Sequence, residues 1–181
     1  MKKIFSRSFI IVLVLLVGFM VGKKIYMTPS YSDGEMAPNF SGKLPNGQEF
    51  QLSDLKGKYV LIDFWGSWCF PCKAESPAII DLHNEFNGKK FKDAEGFEIV
   101  GVAIEKDENR WKRAIPKWGL PWKYQVVDLN DNFRFFNSKI ASEYGVKEVP
   151  SKFLISPDGQ ILSVNQKLAE IAAFLKENMI N

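Results

Sequence analysis

Two cysteines are the residues of this sequence best suited to do chemistry. Cys69 and Cys72 are the only cysteines among 181 residues, and they stand three positions apart. A disulfide framework usually spreads its cysteines along the chain, and a tetrahedral zinc site takes about four ligands, whereas this sequence adds a single histidine, His83. Because His83 follows Cys72 by 11 positions, it is expected to pack in the core or on the surface rather than to bind metal. Thiol–disulfide redox chemistry is therefore the favoured role of the pair.

The segments on either side of the cysteines are expected to control their reactivity. Residues 59–65 form a nearly continuous apolar run, which predicts a buried strand, and residues 73–86 follow helical periodicity. Cys69 would then stand at a helix N-terminus, where free N–H groups and the helix dipole stabilise a thiolate. Cys72 lies one turn further in, and Pro71 is tolerated so early in a helix. Phe70 and Pro71 place no cation between the cysteines, which favours a reductant over a strong oxidant.

Strand and helix patterns alternate through the rest of the chain. The predicted elements are, in chain order, a hairpin at 40–52 around Asn46-Gly47, a helical turn at 53–57, strands at 97–104 and 124–127, helices at 107–118 and 138–144, a second hairpin at 152–164, and a helix at 168–179. This order predicts an α/β domain with a mixed sheet.

The N-terminus has the pattern of a membrane anchor. Residues 8–22 carry no charge, with Lys2, Lys3 and Arg7 before them and Lys23 and Lys24 after them. The run is short for a span, but flanking lysines can reach the interface, and no Ala-x-Ala-like cleavage site follows. We therefore expect a signal anchor at 1–27, a linker at 28–36 and a domain at 37–181, with a cleaved signal peptide as the alternative. The basic residues before the run favour a cytoplasmic N-terminus and a domain on the extracytoplasmic, periplasmic side.

The charge of the remaining chain argues against a nucleic-acid partner. The net charge is +3, but after residue 24 there are 19 basic and 21 acidic residues, a balance of −2. A slightly acidic domain has no basic surface for phosphates to bind. The domain is expected to be monomeric and to need neither a cofactor nor a metal.

Six segments resemble a known family. Residues 63–73 resemble the thioredoxin active-site segment, and the wider pattern is similar to the TlpA/ResA-like family of membrane-anchored, extracytoplasmic thioredoxins with an AhpC/TSA-like domain. The other matching segments are 72–77, 96–103, 119–122, 144–151 and 153–159, within a resemblance that covers 37–178. The family implies a thioredoxin fold with an N-terminal hairpin and a central insertion. It also implies redox chemistry on protein disulfides, apocytochromes among them in some members. A reductant outside the cytoplasm also needs a transmembrane electron donor, which the sequence does not identify.

The resemblance also implies roles for the cysteines and the segment around residue 150. Cys69 would be the nucleophile and Cys72 the resolving thiol, the two alternating between dithiol and disulfide. Val149-Pro150 matches the cis-proline segment that faces the active site. Trp68 is expected to shield the thiols.

Two carboxylates are implicated in the same way. Glu75 matches an acid near the active site of ResA-like members, and Asp63 matches the buried aspartate of thioredoxins. ResA-like members often lack an acid at the second position, so this chain departs from them by having both. A charge inside an apolar strand is costly unless it is paired or exchanges a proton. Glu75 is therefore expected to shape the Cys69 thiolate, and Asp63 to deprotonate Cys72.

Three other functions fit the sequence less well. A membrane-tethered copper chaperone on the same fold is the main alternative, because thiolates bind Cu(I), although such proteins typically use a wider cysteine spacing and a nearby histidine. A peroxidase is disfavoured because Gly66 stands where peroxiredoxins place a threonine. A binding module that uses an aromatic groove would not require two thiols, and Trp111, Trp118 and Trp122 are expected to be core residues first and groove residues second.

Overall fold

The computed structural model describes residues 2–27, 31, 33–130 and 135–180. The first element, helix α1 (Lys2–Met27), contains an apolar stretch, Arg7–Tyr26, that is long enough to cross a membrane and is not buried against the rest of the described chain. The predicted linker falls partly on residues 28–30 and 32, which lie outside the described residues. Its last residues contact the domain, since the Gly34 N–H donates to the Ile161 carbonyl and the Ile161 N–H donates to the Glu35 carbonyl.

A small hairpin precedes the main sheet, as expected. Strands β1 (Ser41–Lys43) and β2 (Glu49–Gln51) pair antiparallel, and Gly47 in the connecting turn has φ 84°, a conformation open to glycine. A 3₁₀ turn follows at Leu52–Leu55. The buried side chain of Phe50 anchors the hairpin on one face of the main sheet.

The main sheet is mixed and five-stranded. Its strands are β3 (Tyr59–Trp65), β4 (Phe97–Glu105), β5 (Tyr124–Leu129), β6 (Ser151–Ile155) and β7 (Ile161–Val164), in the spatial order β5-β4-β3-β6-β7. The neighbours β3, β4 and β5 are parallel, whereas β6 and β7 join antiparallel. The edge strand β5 comes from the segment of chain between β4 and β6.

Four helices complete the part of the domain that the structure describes. They are α2 (Phe70–Phe86), α3 (Glu108–Trp118), α4 (Lys139–Glu143) and α5 (Leu168–Asn178), with a further 3₁₀ turn at Phe135–Asn137. Helix α2 begins three residues before the predicted 73–86, so Cys72 lies in its first turn and Cys69 is its N-cap. The predicted elements are confirmed in type and order, and most ends differ by one or two residues.

Strand β3 is buried on both faces, so its side chains contribute to both core layers. Leu61 and Trp65 pack with α2 and α5 in one core layer, while Ile62 and Phe64 pack with the hairpin and α4 in the other. Each such side chain contributes about 1.5–3 kcal/mol through burial. Alternation places Asp63 in the first layer, beneath the cysteine-bearing helix.

Candidate active site

The two cysteines form a disulfide at the junction between β3 and α2. Their S–S distance is 2.00 Å, and each residue is only 4% exposed. Cys69 is the N-cap of α2, and its Sγ accepts a hydrogen bond from the Cys72 N–H at 3.1 Å. The helix therefore directs an N–H donor and the positive end of its dipole at this sulfur, an arrangement that stabilises a thiolate after reduction. Pro71 lies at the second position of the helix, where its missing N–H leaves no hydrogen bond unmade.

A second loop faces the disulfide from the side of β6. The Val149–Pro150 peptide bond is cis, which confirms the expectation for this segment. The Val149 carbonyl oxygen lies 3.7 Å from Sγ of Cys69, within reach of a thiol donor when that sulfur is reduced. Val149 and Pro150 are half-buried, so their backbone stands beside Cys69 at the surface.

Trp68 is held in a defined position next to the cysteines. Its indole Nε1 donates to the Ile104 carbonyl at 2.9 Å, and the residue remains 40% exposed. The ring lies so close over Gly66 that a Cβ there would stand 2.6 Å from Nε1. Only glycine fits at position 66 without moving the indole. Trp68 is therefore an ordered, partly exposed surface beside Cys69.

The loop before Cys69 is also fixed by a buried acid. Glu105, at the end of β4, has no exposed surface and accepts a short hydrogen bond from the Ser67 N–H. Burial raises the pKa of the Glu105 carboxyl, and the Ser67 hydrogen bond opposes that rise. Its other oxygen has no hydrogen-bond partner among the described residues. Glu105 thus positions the active-site loop from the neighbouring strand.

Asp63 lies beneath the disulfide-bearing helix and is only 4% exposed. Its Oδ1 has no hydrogen-bond partner in the described part of the chain. Burial raises the pKa of Asp63 to about 7, with Lys152 lowering it and Glu75 raising it by smaller amounts. A carboxyl with this pKa can accept or release a proton near neutral pH.

Glu75 forms a close ion pair with Lys152, across 77 residues of sequence. Lys152 Nζ lies 2.7 and 2.8 Å from the two carboxylate oxygens, and the lysine side chain is only 7% exposed against 27% for Glu75. Lys152 is also the direct partner of Asp63 in the antiparallel register of β3 and β6. One buried cation therefore acts on both carboxylates predicted for the site.

The structure brings together the residues predicted from sequence and adds two that were missed. Asp63 and Glu75 share Lys152, while Cys69 lies against Val149 and Trp68 lies over the adjoining loop. The residues not foreseen are Lys152 and Glu105. Each is a charged residue next to a run of apolar strand residues. Because burying a charge is costly unless it is paired, this position in the sequence was the available signal.

The residues expected to stay outside the chemistry have ordinary surroundings. His83 is half-buried, and its ring lies 6.2 Å from that of Trp122; burial lowers its pKa. Trp111 and Trp122 are core residues, 1% and 3% exposed, whereas Trp118 is half-buried. Among the described residues, no group of three His, Cys, Asp or Glu side chains is placed to hold a metal ion.

Known proteins are similar to this chain in sequence. Residues 34–164 match the model of the AhpC/TSA family. The chain is 30% identical to the thiol–disulfide oxidoreductase ResA of Bacillus subtilis, over 99% of this chain and 90% of that protein. It is 31% identical to ResA of Oceanobacillus iheyensis, over 90% and 80% respectively.

Solved structures confirm the thioredoxin fold. The thioredoxin domain of a thiol–disulfide oxidoreductase from Bacteroides vulgatus superposes with a TM-score of 0.68 at 30% identity, over 82% of this chain and 98% of that one. A thiol:disulfide interchange protein from Bacteroides sp. gives the same TM-score of 0.68 at 30% identity, over 82% and 90%.

Proposed function

The chain belongs to the AhpC/TSA family and is a thiol–disulfide oxidoreductase, and from this premise we propose that it reduces disulfide bonds of proteins outside the cytoplasm. The observation that carries the proposal is the position of Cys69 at the N-terminus of α2, with the Cys72 N–H directed at its sulfur. A thiol in this environment is available as a thiolate, which is the attacking species in disulfide exchange.

Cys69 is the nucleophile. Its thiolate attacks one sulfur of the substrate disulfide, a Cys69–substrate disulfide forms, and the other substrate sulfur leaves as a thiolate. The Val149 carbonyl and the cis Val149–Pro150 bond stand beside Cys69 and offer backbone to an extended substrate segment. Trp68 covers the adjoining surface, where it excludes water from the reacting sulfurs.

Cys72 resolves the intermediate. It loses its proton and attacks Sγ of Cys69, which forms the Cys69–Cys72 disulfide and releases the second substrate thiolate. Two electrons have then passed to the substrate. A transmembrane donor of the dithiol class returns two electrons and restores the reduced pair.

Asp63 accepts the proton of Cys72. It lies on the α2 side of β3, and its pKa of about 7 leaves a large fraction of it ionised and able to take a proton at neutral pH. Glu75 is kept close to this site by its ion pair with Lys152, and it raises the pKa of Asp63. We assign Glu75 to shaping the charge around Cys69 and Asp63 to proton transfer.

The N-terminal helix supports an anchored location. Residues 1–27 form the anchor, 28–36 the linker and 37–181 the catalytic domain in this proposal, and the apolar stretch Arg7–Tyr26 has the length and composition of a membrane span. Basic residues on the N-terminal side favour a cytoplasmic N-terminus. The domain then meets disulfide-containing proteins on the extracytoplasmic side, where disulfides persist.

A trapping experiment tests the proposal. The detergent-solubilised chain should reduce a model protein disulfide with dithiothreitol as donor. Cys69→Ser should abolish the reaction, and Cys72→Ser should accumulate a mixed disulfide with substrate without turnover. Ser76→Ala, which keeps both cysteines, is the control and should retain activity. Full activity of Cys69→Ser would refute the assignment.

A further inference from the structure

A cationic groove opens beside the active-site loop, and its basic residues have no part in the chemistry described above. It has a volume of about 210 Å³ and is lined by Ser67, Trp68, Arg110, Arg113, Ala114, Lys117 and Trp118. Ser67 and Trp68 immediately precede Cys69, so one wall of the groove continues into the redox loop. The opposite wall is the exposed side of helix α3.

The groove concentrates positive charge in an otherwise acidic domain. Arg110, Arg113 and Lys117 are spaced as i, i+3 and i+7 on α3, which places them along one side of the helix. All three are exposed, and none forms an ion pair with a carboxylate that the structure describes. The acid of the first turn, Glu108, is paired instead with Lys112 at 2.8 Å. The groove is therefore cationic and open to solvent.

Charged groups around the groove do not neutralise it. The charge of Arg110 lowers the pKa of Glu105. However, Glu105 is fully buried, and its carboxylate accepts a hydrogen bond from the Ser67 N–H. Asp107 caps the N-terminus of α3 through the Asn109 N–H. Both acids are thus committed to the backbone, and the three basic side chains remain available to a partner.

The sheet order places this groove and the Pro150 loop on opposite sides of the loop that carries Cys69. Because β3 lies between β4 and β6, the loop that carries Cys69 has the Pro150 loop on one side and α3, which follows β4, on the other. A substrate segment that lies beside Val149 and crosses the Cys69 loop would reach the three cations. Two tryptophans, Trp68 and Trp118, line the groove and offer apolar surface to the stems of the side chains it receives.

We infer that this groove binds an acidic segment of the substrate protein, located beside the disulfide that Cys69 attacks. The guanidinium groups of Arg110 and Arg113 match carboxylates in shape as well as charge. The residues that line the groove include no aspartate or glutamate to repel those of the segment. The inference rests on the proposed reductase function and gives its substrates a charge preference.

A pair of synthetic peptides tests the inference on the full chain in non-ionic detergent. Both contain the same intramolecular disulfide; one has glutamates on either side and the other has glutamines at those positions. At low salt, kcat/KM should be about tenfold higher for the acidic peptide, the lower end of the gain that charge complementarity provides. The preference should shrink as salt screens the charges. The variant Arg110→Gln/Arg113→Gln/Lys117→Gln should lose the preference and keep its rate with the glutamine peptide.

A matched variant controls for total charge. Lys56→Gln/Lys89→Gln/Lys90→Gln removes the same charge from exposed residues before β3 and after α2, at the opposite end of the domain, and should keep the preference. Equal kcat/KM for the two peptides in the unaltered chain would overturn the inference, and so would an equal loss in both variants.

A binding measurement separates this inference from the reductase assignment. An acidic peptide with both cysteines replaced by serine cannot react, and it should bind the unaltered chain more tightly than the groove variant by the same factor of about ten. Binding with no turnover of either disulfide peptide would refute the reductase function and leave the groove assignment standing. Turnover of both peptides with no such binding difference would refute the groove alone.

Discussion

Replacing Asp63 by asparagine should stabilise the domain in a pH-dependent way. In the folded chain the pKa of Asp63 is raised from 3.8 to about 7, chiefly by burial. Between these values the folded state holds a proton that the unfolded chain releases, so the unaltered chain loses stability as pH rises from about 4 to about 7. Above pH 7 the loss is complete and constant. A shift of about three pKa units corresponds to about 4 kcal/mol.

Asparagine has no charge to bury, so it avoids this cost. Its side-chain NH2 group is a hydrogen-bond donor, and burying it without an acceptor offsets part of the gain. We expect Asp63→Asn to be about 2–4 kcal/mol more stable than the unaltered chain at pH 8 and nearly equal to it at pH 4. Taking the difference between the two proteins cancels the titration of the groups they share.

The assay is urea unfolding of the oxidised, detergent-solubilised chain, followed by tryptophan fluorescence from pH 4 to pH 8. Asp81→Asn is the control, because Asp81 is an exposed acid on the same side of the sheet, and its replacement should change stability by less than about 0.5 kcal/mol. The Asp63→Asn variant should reduce disulfides more slowly, and the pH profile of its rate should lose the inflection near pH 7. The argument from burial would be refuted if the difference in unfolding free energy between Asp63→Asn and the unaltered chain were the same at pH 8 as at pH 4.

Three further predictions concern Lys152, Gly66 and the membrane topology. Lys152→Met should move the pH inflection of the rate from about 7 to 8 or above, because loss of an adjacent cation raises the pKa of Asp63 by about 1–3. The control Lys152→Arg keeps the cation and should leave the inflection where it is. An unmoved inflection in the methionine variant would contradict the shared-cation arrangement. Gly66→Ala should lower stability by about 1–3 kcal/mol because its Cβ would stand 2.6 Å from Nε1 of Trp68. The control Gly96→Ala meets nothing closer than 3.8 Å, and equal stability of the two variants would show that the indole moves without cost. A reporter that is active only outside the cytoplasm, fused to the C-terminus, should be active in a full-length membrane protein, whereas a shortened soluble product would reveal a cleaved signal peptide.

The redox pair and its surroundings along the chain were predictable because they are encoded locally. A strand of continuous apolar residues followed by Cys69 and a helical pattern places the cysteine at a helix N-terminus wherever the domain folds. The cis bond before Pro150 was predictable only through the resemblance of its segment to known thioredoxins. In each case the signal lies within about ten residues of the site.

The electrostatic partners of the site were decided by tertiary structure. In the sequence, Lys152 is a basic residue at the start of an apolar strand, and no neighbouring residue indicates its ion-pair partner. Its pairing with Glu75 requires α2 to pack on the sheet, and its position opposite Asp63 requires the antiparallel register of β3 and β6. A shift of that register by one residue would turn Lys152 to the other face of the sheet.

The sequence by itself therefore determined the chemistry of this protein, and the tertiary structure determined the environment in which that chemistry takes place. Cysteine spacing and strand–helix order follow from side-chain pattern and backbone geometry over short distances. Burial and charge pairing bring together groups such as Glu75 and Lys152, 77 positions apart. The pKa of Asp63 depends on how completely water is excluded and on which charges remain beside it. These quantities exist only once the strands are in register and the helix covers the sheet.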